Sequence, residues 1–226
     1  MTEERDVIEV ARSVSERGEV VLRRRVQDGA LELRVNGVFV MDTRETGTER
    51  LLASAAISAT HPTRQVLIGG LGLGFTLAEM LRYDEVARVV VAEIEPALVE
   101  WHRRGLIPQT REATHDARVS IQVGEIQQTV ERHPHGCLDL MLLDVDNGPG
   151  YLIYEANADI YRDRFLSMCR SRLAPGGRVA IWANDEAPDL EATMHRVFDA
   201  VDIQVVPVDL GTRQTTYHLF IGHHAP

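Results

Sequence analysis

Glu93, Asp144 and the glycine run Gly69-Gly70-Leu71-Gly72-Leu73-Gly74 are the residues whose types and spacing best suit chemistry. Glycines let a backbone turn tightly and approach a ligand closely. A carboxylate about 20 residues beyond such a turn can accept both hydroxyls of a ribose. Glu93 fills that position, with Ile94 beside it. The glycines at 70, 72 and 74 are spaced G-x-G-x-G. A dinucleotide fingerprint starting at Gly70 would place its third glycine on Phe75. The tighter spacing suits an adenosine-bearing ligand that lacks a pyrophosphate. Downstream, Asp144-Val145-Asp146-Asn147-Gly148 gathers two carboxylates and an amide. Asp144 there can remove a proton from an acceptor amine or hydroxyl. Asp146 and Asn147 are candidates for the same acceptor, although Asp-Asn-Gly is also a turn sequence. Gly124-Glu125 offers a carboxylate that can either accept an adenine amino group or cap a helix.

These residues matter because of where the elements put them. Apolar runs bounded by turns predict strands at 65–68, 86–92, 119–123, 138–143 and 178–182. Helices are predicted between them at 75–82, 96–105, 126–132 and 159–173, the last ended by Ala-Pro-Gly-Gly. Asp189 is expected to cap a helix carrying Leu190, Met194, Val197 and Phe198 on one face. Strands at 203–208 and 216–221, joined across Gly211, read as a closing antiparallel pair. Alternating strands and helices make a parallel sheet covered on both faces. The number of units matches the seven-stranded, Rossmann-like sheet of class I methyltransferases. In such sheets ligands bind beyond the carboxyl ends of the strands, where the residues above fall. Ahead of this lie segments at 20–25, 31–35 and 38–41, joined by Asp28-Gly29 and Asn36-Gly37, which predict a three-stranded meander. Residues 3–16 read as a short polar helix or a loosely held arm, and 48–60 as a helix. The expected division is 1–47 for the arm and small β domain and 48–226 for the Rossmann-like domain.

Composition narrows the partners. The net charge is -10 over 226 residues, which argues against a nucleic-acid backbone as ligand. Arg23-Arg24-Arg25 reads as a solvated or dimer-facing ribbon. Two cysteines in no metal or redox spacing fit a reduced cytoplasm. The acidic start is unlike a signal peptide, and no uncharged run is long enough for a bilayer. Neither His133-Pro134-His135 nor His223-His224 has ligating neighbours at metal spacing, so no metal is expected. Trp101-His102 reads as packing, Asp185 as a cap or solvated residue, and Tyr151, Tyr154 and Tyr161 as a lid with some members in the core.

Taken together, the motifs resemble the spermidine synthase family of polyamine aminopropyltransferases. Val66-Leu67-Ile68-Gly69-Gly70-Leu71-Gly72-Leu73-Gly74 is similar to its glycine motif, and Ala92-Glu93-Ile94-Glu95 to its Val-Glu-Ile-Asp. Leu138-Asp139-Leu140-Met141-Leu142-Leu143-Asp144 resembles its Tyr-Asp-Val-Ile-Ile-Val-Asp. Ile160-Tyr161-Arg162-Asp163-Arg164-Phe165 and Leu173-Ala174-Pro175-Gly176-Gly177 match two further segments. The resemblance implies that Glu93 holds the ribose, that Glu125 stands in for an adenine-binding aspartate, and that Asp144 deprotonates an attacking amine. It also implies a homodimer or larger homo-oligomer and a donor that is S-adenosylmethionine or its decarboxylated form. Several family residues differ here. The aspartate that grips the donor's aminopropyl end is Gly72. The second loop aspartate is Asn147. A glutamine is Val40, and Tyr-His-Glu of the next helix is Glu49-Arg50-Leu51. Transfer of a methyl group to a small nucleophile is therefore expected ahead of aminopropyl transfer, with a non-catalytic nucleoside-binding dimer as a further alternative.

Overall fold

Continuous apolar runs fold here into strands buried on both faces, as parallel sheets require. In a computed structural model that describes residues 6–57, 60–146, 148–209 and 214–226, the strands β5 (Gln65–Gly69), β6 (Arg88–Glu93), β7 (Val119–Val123), β8 (Leu138–Leu143) and β9 (Leu173–Ala183) run parallel. The sheet is completed by β10 (Ala200–Asp209) and β11 (Gln214–His223), and its spatial order is β10-β11-β9-β8-β5-β6-β7. β11 pairs antiparallel with both β9 and β10. The order reverses at β5, whose neighbours β6 and β8 lie on opposite sides, so the crevice at its carboxyl end is the natural ligand site.

Alternation along the strands divides the core in two. Val66, Ile68, Val89, Val91, Leu140 and Leu142 face one layer, with Leu52 of α1 (Gly47–Ala55), Leu77 of α2 (Phe75–Met80) and Val99 of α3 (Pro96–Arg103). Leu67, Val90, Met141 and Leu143 face the other. There they meet Val130 of α5 (Ile126–Arg132), Leu166 of α6 (Asp163–Arg172) and Met194 of α7 (Pro188–Val197); the short α4 (Arg111–Thr114) precedes β7.

The small sheet has four antiparallel strands in the order β1 (Val7–Ser15), β2 (Gly18–Arg25), β3 (Leu31–Val35) and β4 (Val38–Asp42). Its Val20, Leu22, Leu31, Leu33 and Val35 pack on Leu73, Phe75, Leu98, Trp101 and Ile107. The meander therefore sits directly over the glycine turn after β5 and the two helices that flank it.

Five local expectations are corrected. Residues 7–15 form neither helix nor arm but an edge strand paired with β2 from Val7↔Arg25 to Ser15↔Gly18. Its polar side chains face water on a half-exposed strand, and this mimics the polarity of a surface helix. The turn into β2 is held by Asn36, whose Oδ1 accepts the Glu19 N–H at 2.8 Å and whose Nδ2 donates to the Arg17 carbonyl at 3.2 Å. The helix predicted at 159–173 is broken at Arg162, which is extended, into a 3-10 helix (Glu155–Tyr161) and α6. The Pro-Gly-Gly segment lies within β9 rather than before it. Leu173 already pairs with Leu138, and an irregularity in the ladder absorbs the bend before Arg178 pairs with Leu140. Asp189 is not a cap: α7 begins at Pro188, with Ala187 in the capping position and no side-chain cap bond. The helix predicted at 48–60 ends at Ala55, and Ser58, Ala59 and the Gly211 turn lie outside the described residues. Among the described residues no helix is long and apolar enough to cross a membrane.

Candidate active site

Three hydrogen bonds continue the parallel ladder past the strand ends. Gly70 N–H donates to the Ala92 carbonyl, Asp144 N–H to the Gly69 carbonyl, and Gly124 N–H to the Glu93 carbonyl, each at 2.9 Å. They fix the tips of β5, β6, β7 and β8 side by side. Gly70, Gly72, Glu93, Ile94, Gly124, Glu125, Asp144 and Asp146 thereby line one cavity. Gly74 and Asn147 are not among them. Gly74 is the left-handed residue before α2, packed against Thr110 and His102, and Asn147 lies outside the described residues.

The turn after β5 needs glycine twice for different reasons. Gly70 has φ 88°, and a Cβ there would lie 2.1 Å from the Asp144 carbonyl oxygen. Gly72 has φ 50°, and its Cβ would lie 2.7 Å from Sδ of Met41, which β4 brings over the turn. Beneath it, buried His102 donates from Nε2 to the Gly72 carbonyl at 2.9 Å, and Thr110 Oγ1 donates to the Leu73 carbonyl at 2.6 Å. Burial lowers the pKa of His102 from its ordinary value.

Glu93 is 5 % exposed. Its Oε2 accepts the Leu71 N–H and its Oε1 the Glu95 N–H, each at 2.8 Å. Burial raises its pKa and these backbone donors oppose the rise. A carboxylate offers about four lone-pair positions, so Glu93 can hold the glycine turn and still accept from a ligand. On the β7 side, a Cβ added at Gly124 would meet no atom within 4 Å, and exposed Glu125 precedes α5 without making a cap bond. There is open space for a flat ring beside Glu93.

Asp144 and Asp146 look alike in the sequence and differ in their surroundings. Asp144 Oδ2 accepts from Thr76 Oγ1 at 2.9 Å, and burial pushes the carboxyl up to about 6 in spite of that bond. Asp146 is engaged by the loop that follows. Its Oδ1 accepts the Ile153 N–H at 2.7 Å and Asn157 Nδ2 at 3.0 Å, and its Oδ2 accepts from Tyr161 at 3.4 Å. Burial also pushes Asp146 up to about 6. Of the three tyrosines, Tyr161 is core, Tyr151 is exposed, and Tyr154 donates to Glu95 Oε1 at 2.7 Å across the cavity. Glu95 precedes α3 without a side-chain cap bond, and its carboxylate makes this bridge. Asp185 is exposed and bonds the adjacent Glu186 N–H.

Three further residues also line the cavity. Glu49 comes from α1, Met41 from β4 and Trp182 from the end of β9. For Glu49 the available signal was its replacement of a family tyrosine. Nothing in the spacing marks Met41. Six carboxylates line the cavity, and no arginine, lysine or histidine does so among the described residues. The wall is therefore suited to a cation.

A seven-stranded sheet with one reversed strand, and with glycine turn and acidic tips along its carboxyl edge, defines a Rossmann-like fold of the class I methyltransferase type. The profile of the "Spermine/spermidine synthase domain" matches residues 45–208. The chain belongs to the spermine/spermidine synthase family. It is 30 % identical over 202 residues to polyamine aminopropyltransferase 2 of Streptomyces coelicolor, covering 87 % of this chain and 35 % of that protein. It is 32 % identical over 171 residues to polyamine aminopropyltransferase 2 of Pseudomonas aeruginosa, covering 71 % and 47 %. It is also 29 % identical over 158 residues to putrescine N-methyltransferase 1 of Nicotiana tabacum, covering 69 % and 38 %. The chain thus spans between about a third and a half of the length of these relatives. Spermidine synthase in complex with the transition-state analogue AdoDATO superposes with a TM-score of 0.81 at 16 % identity, over 95 % of this chain and 73 % of that one. The Thermotoga maritima spermidine synthase gives 0.79 at 16 % identity, over 95 % and 72 %. These structural likenesses bear on the fold.

Proposed function

We propose that this chain is a transferase that moves an alkyl group from an adenosyl sulfonium donor to a small amine, with Asp144 as general base. The observation that carries this reading is the placement of Asp144, oriented by Thr76, on the same cavity as Glu93 and the glycine turn. Bound there, the donor supplies an electrophilic carbon next to its positively charged sulfur. Glu93 would accept from the ribose hydroxyls, and Gly124 leaves room for the adenine, with Glu125 as acceptor for its amino group. A primary amine of ordinary pKa, about 10, is protonated at neutral pH and is no nucleophile. Asp144 takes that proton and so frees the lone pair, which attacks the donor carbon as the carbon–sulfur bond breaks and the neutral thioether leaves. The protein's further part is to hold the two reactants in line. Tyr154, bonded to Glu95, helps close the cavity, while Asp146 anchors the closing loop and so acts on the acceptor through position. The oligomer implied by resemblance would bury the exposed Ile8, Val14, Val38 and Phe39 of the small sheet.

The transferred group is proposed to be methyl. Gly72 has no side chain to grip an aminopropyl end, and Met41 occupies the space into which one would grow. Aminopropyl transfer is the second reading, favoured by the absence of any arginine, lysine or histidine in the described lining that would pair with the carboxylate of S-adenosylmethionine. Calorimetry with S-adenosylhomocysteine and methylthioadenosine separates them. Methyl transfer requires S-adenosylhomocysteine to bind more tightly, aminopropyl transfer requires methylthioadenosine to do so, and the failure of both to bind removes the donor site altogether.

Gly72→Asp alone is expected to gain no affinity for the decarboxylated donor. Its Cβ collides with Met41 and its backbone is left-handed, which costs a non-glycine residue roughly 1–2 kcal/mol. Adding Met41→Ala is expected to relieve the collision and raise that affinity above that of the single variant, as read by the same calorimetry.

A further inference from the structure

Glu49 reaches the cavity from α1, a different part of the chain from the strand tips that carry Glu93 and Asp144. It stands where the resembling family has tyrosine. Its Oε2 accepts from its neighbour Thr48 at 2.9 Å, which leaves the rest of the carboxylate open to the cavity. The charged groups acting on it are Asp144 and Glu45, both acids. Arg50, the adjacent cation, is turned away: its guanidinium reaches Glu79 at 3.3 Å and lies 5.3 Å from the centre of the Phe75 ring. Burial, followed by the nearby Asp144, pushes Glu49 up to about 7. Trp182 adds an aromatic wall whose indole Nε1 is buried without a partner. Two carboxylates in one cavity with no protein cation between them are destabilising until a ligand cation arrives. Apolar and aromatic surface beside them suits an alkyl chain bearing such a charge.

We propose that Glu49 and Asp144 together bind a primary ammonium group of the ligand, with Glu49 as the specificity-determining carboxylate. This rests on the transferase reading above. The ammonium comes either from the amine acceptor or from the tail of the donor, and two titrations of Glu49→Gln in the full chain tell these apart. Methylthioadenosine, which has no amine tail, is expected to bind the variant within about 2-fold of the parent. Putrescine added to the methylthioadenosine complex is expected to bind at least about 10-fold more weakly if the ammonium is the acceptor's. S-adenosylhomocysteine is expected to lose at least about 10-fold if it is the donor's. Glu49→Asp keeps the charge and is expected to retain part of the affinity lost in Glu49→Gln. If both amine-bearing ligands bind Glu49→Gln as they bind the parent, the proposal is overturned while the nucleoside site stands. If methylthioadenosine and S-adenosylhomocysteine both fail to bind the parent, the transferase reading itself fails. A melting temperature for Glu49→Gln at pH 8 at or above that of the parent checks its fold, because the variant no longer carries a buried acid that must ionise.

Discussion

Asp144→Asn is expected to lower kcat by about 10²- to 10⁴-fold, the range over which a positioned general base acts, while leaving methylthioadenosine affinity nearly unchanged. Asparagine keeps the shape and can still meet Thr76, but it takes no proton. The pH profile supplies the sign. Burial pushes Asp144 up to about 6 and Glu49 up to about 7. The base works only when deprotonated, so kcat should fall as the pH drops from about 7 through 6 and flatten above. In Asp144→Asn the residual rate should lose the limb near 6. A parent profile with no acid limb between pH 5 and 7.5, or an unchanged kcat in the variant, would exclude Asp144 as the base.

Glu93→Ala is expected to weaken nucleoside binding by roughly 100-fold or more. Each hydrogen bond to a charged acceptor contributes roughly 1.5–3 kcal/mol, and a ribose presents two hydroxyls. The same substitution leaves the buried N–H groups of Leu71 and Glu95 without an acceptor, a penalty of about 1–3 kcal/mol for each group. The melting temperature should therefore fall along with the affinity. Glu93→Gln, which keeps one carbonyl oxygen, should recover part of both. Separate measurement of melting and of methylthioadenosine binding tests the two roles. A Glu93→Ala protein that melts lower yet binds normally would leave the carboxylate with only its structural task.

The side of the cavity formed by the glycine turn and Glu93 was legible from sequence because strand tips are marked by residue type. Glycine is needed where φ is positive, as at Gly70, and Glu93 and Asp144 each end a β-branched or leucine-rich run of strand length. The side that carries Asp146 and Glu49 was less legible. Asp144 and Asp146 stand two apart in one motif, and only the fold shows that Asp146 is engaged by Ile153, Asn157 and Tyr161. Glu49 sits in an ordinary amphipathic helix, and its approach to the cavity depends on how α1 packs against the sheet. Met41 is one apolar residue of an edge strand, and its contact with Gly72 depends on the docking of the meander. The edge strand β1 was misread because half-exposed strands and polar helices both mix apolar with charged residues. Its pairing with β2 decides between them, and pairing is not local.

The three ladder bonds that fasten the strand tips to one another have a consequence for how such a protein can change over generations. Gly70, Glu93, Gly124 and Asp144 are bolted to a common frame through their own backbones, so a substitution at any of them is felt by the others. Glu49, Met41 and Trp182 reach the cavity from three separate segments outside that frame. A lineage can exchange those three and acquire a taste for another amine while the frame, and whatever it grips, passes on intact.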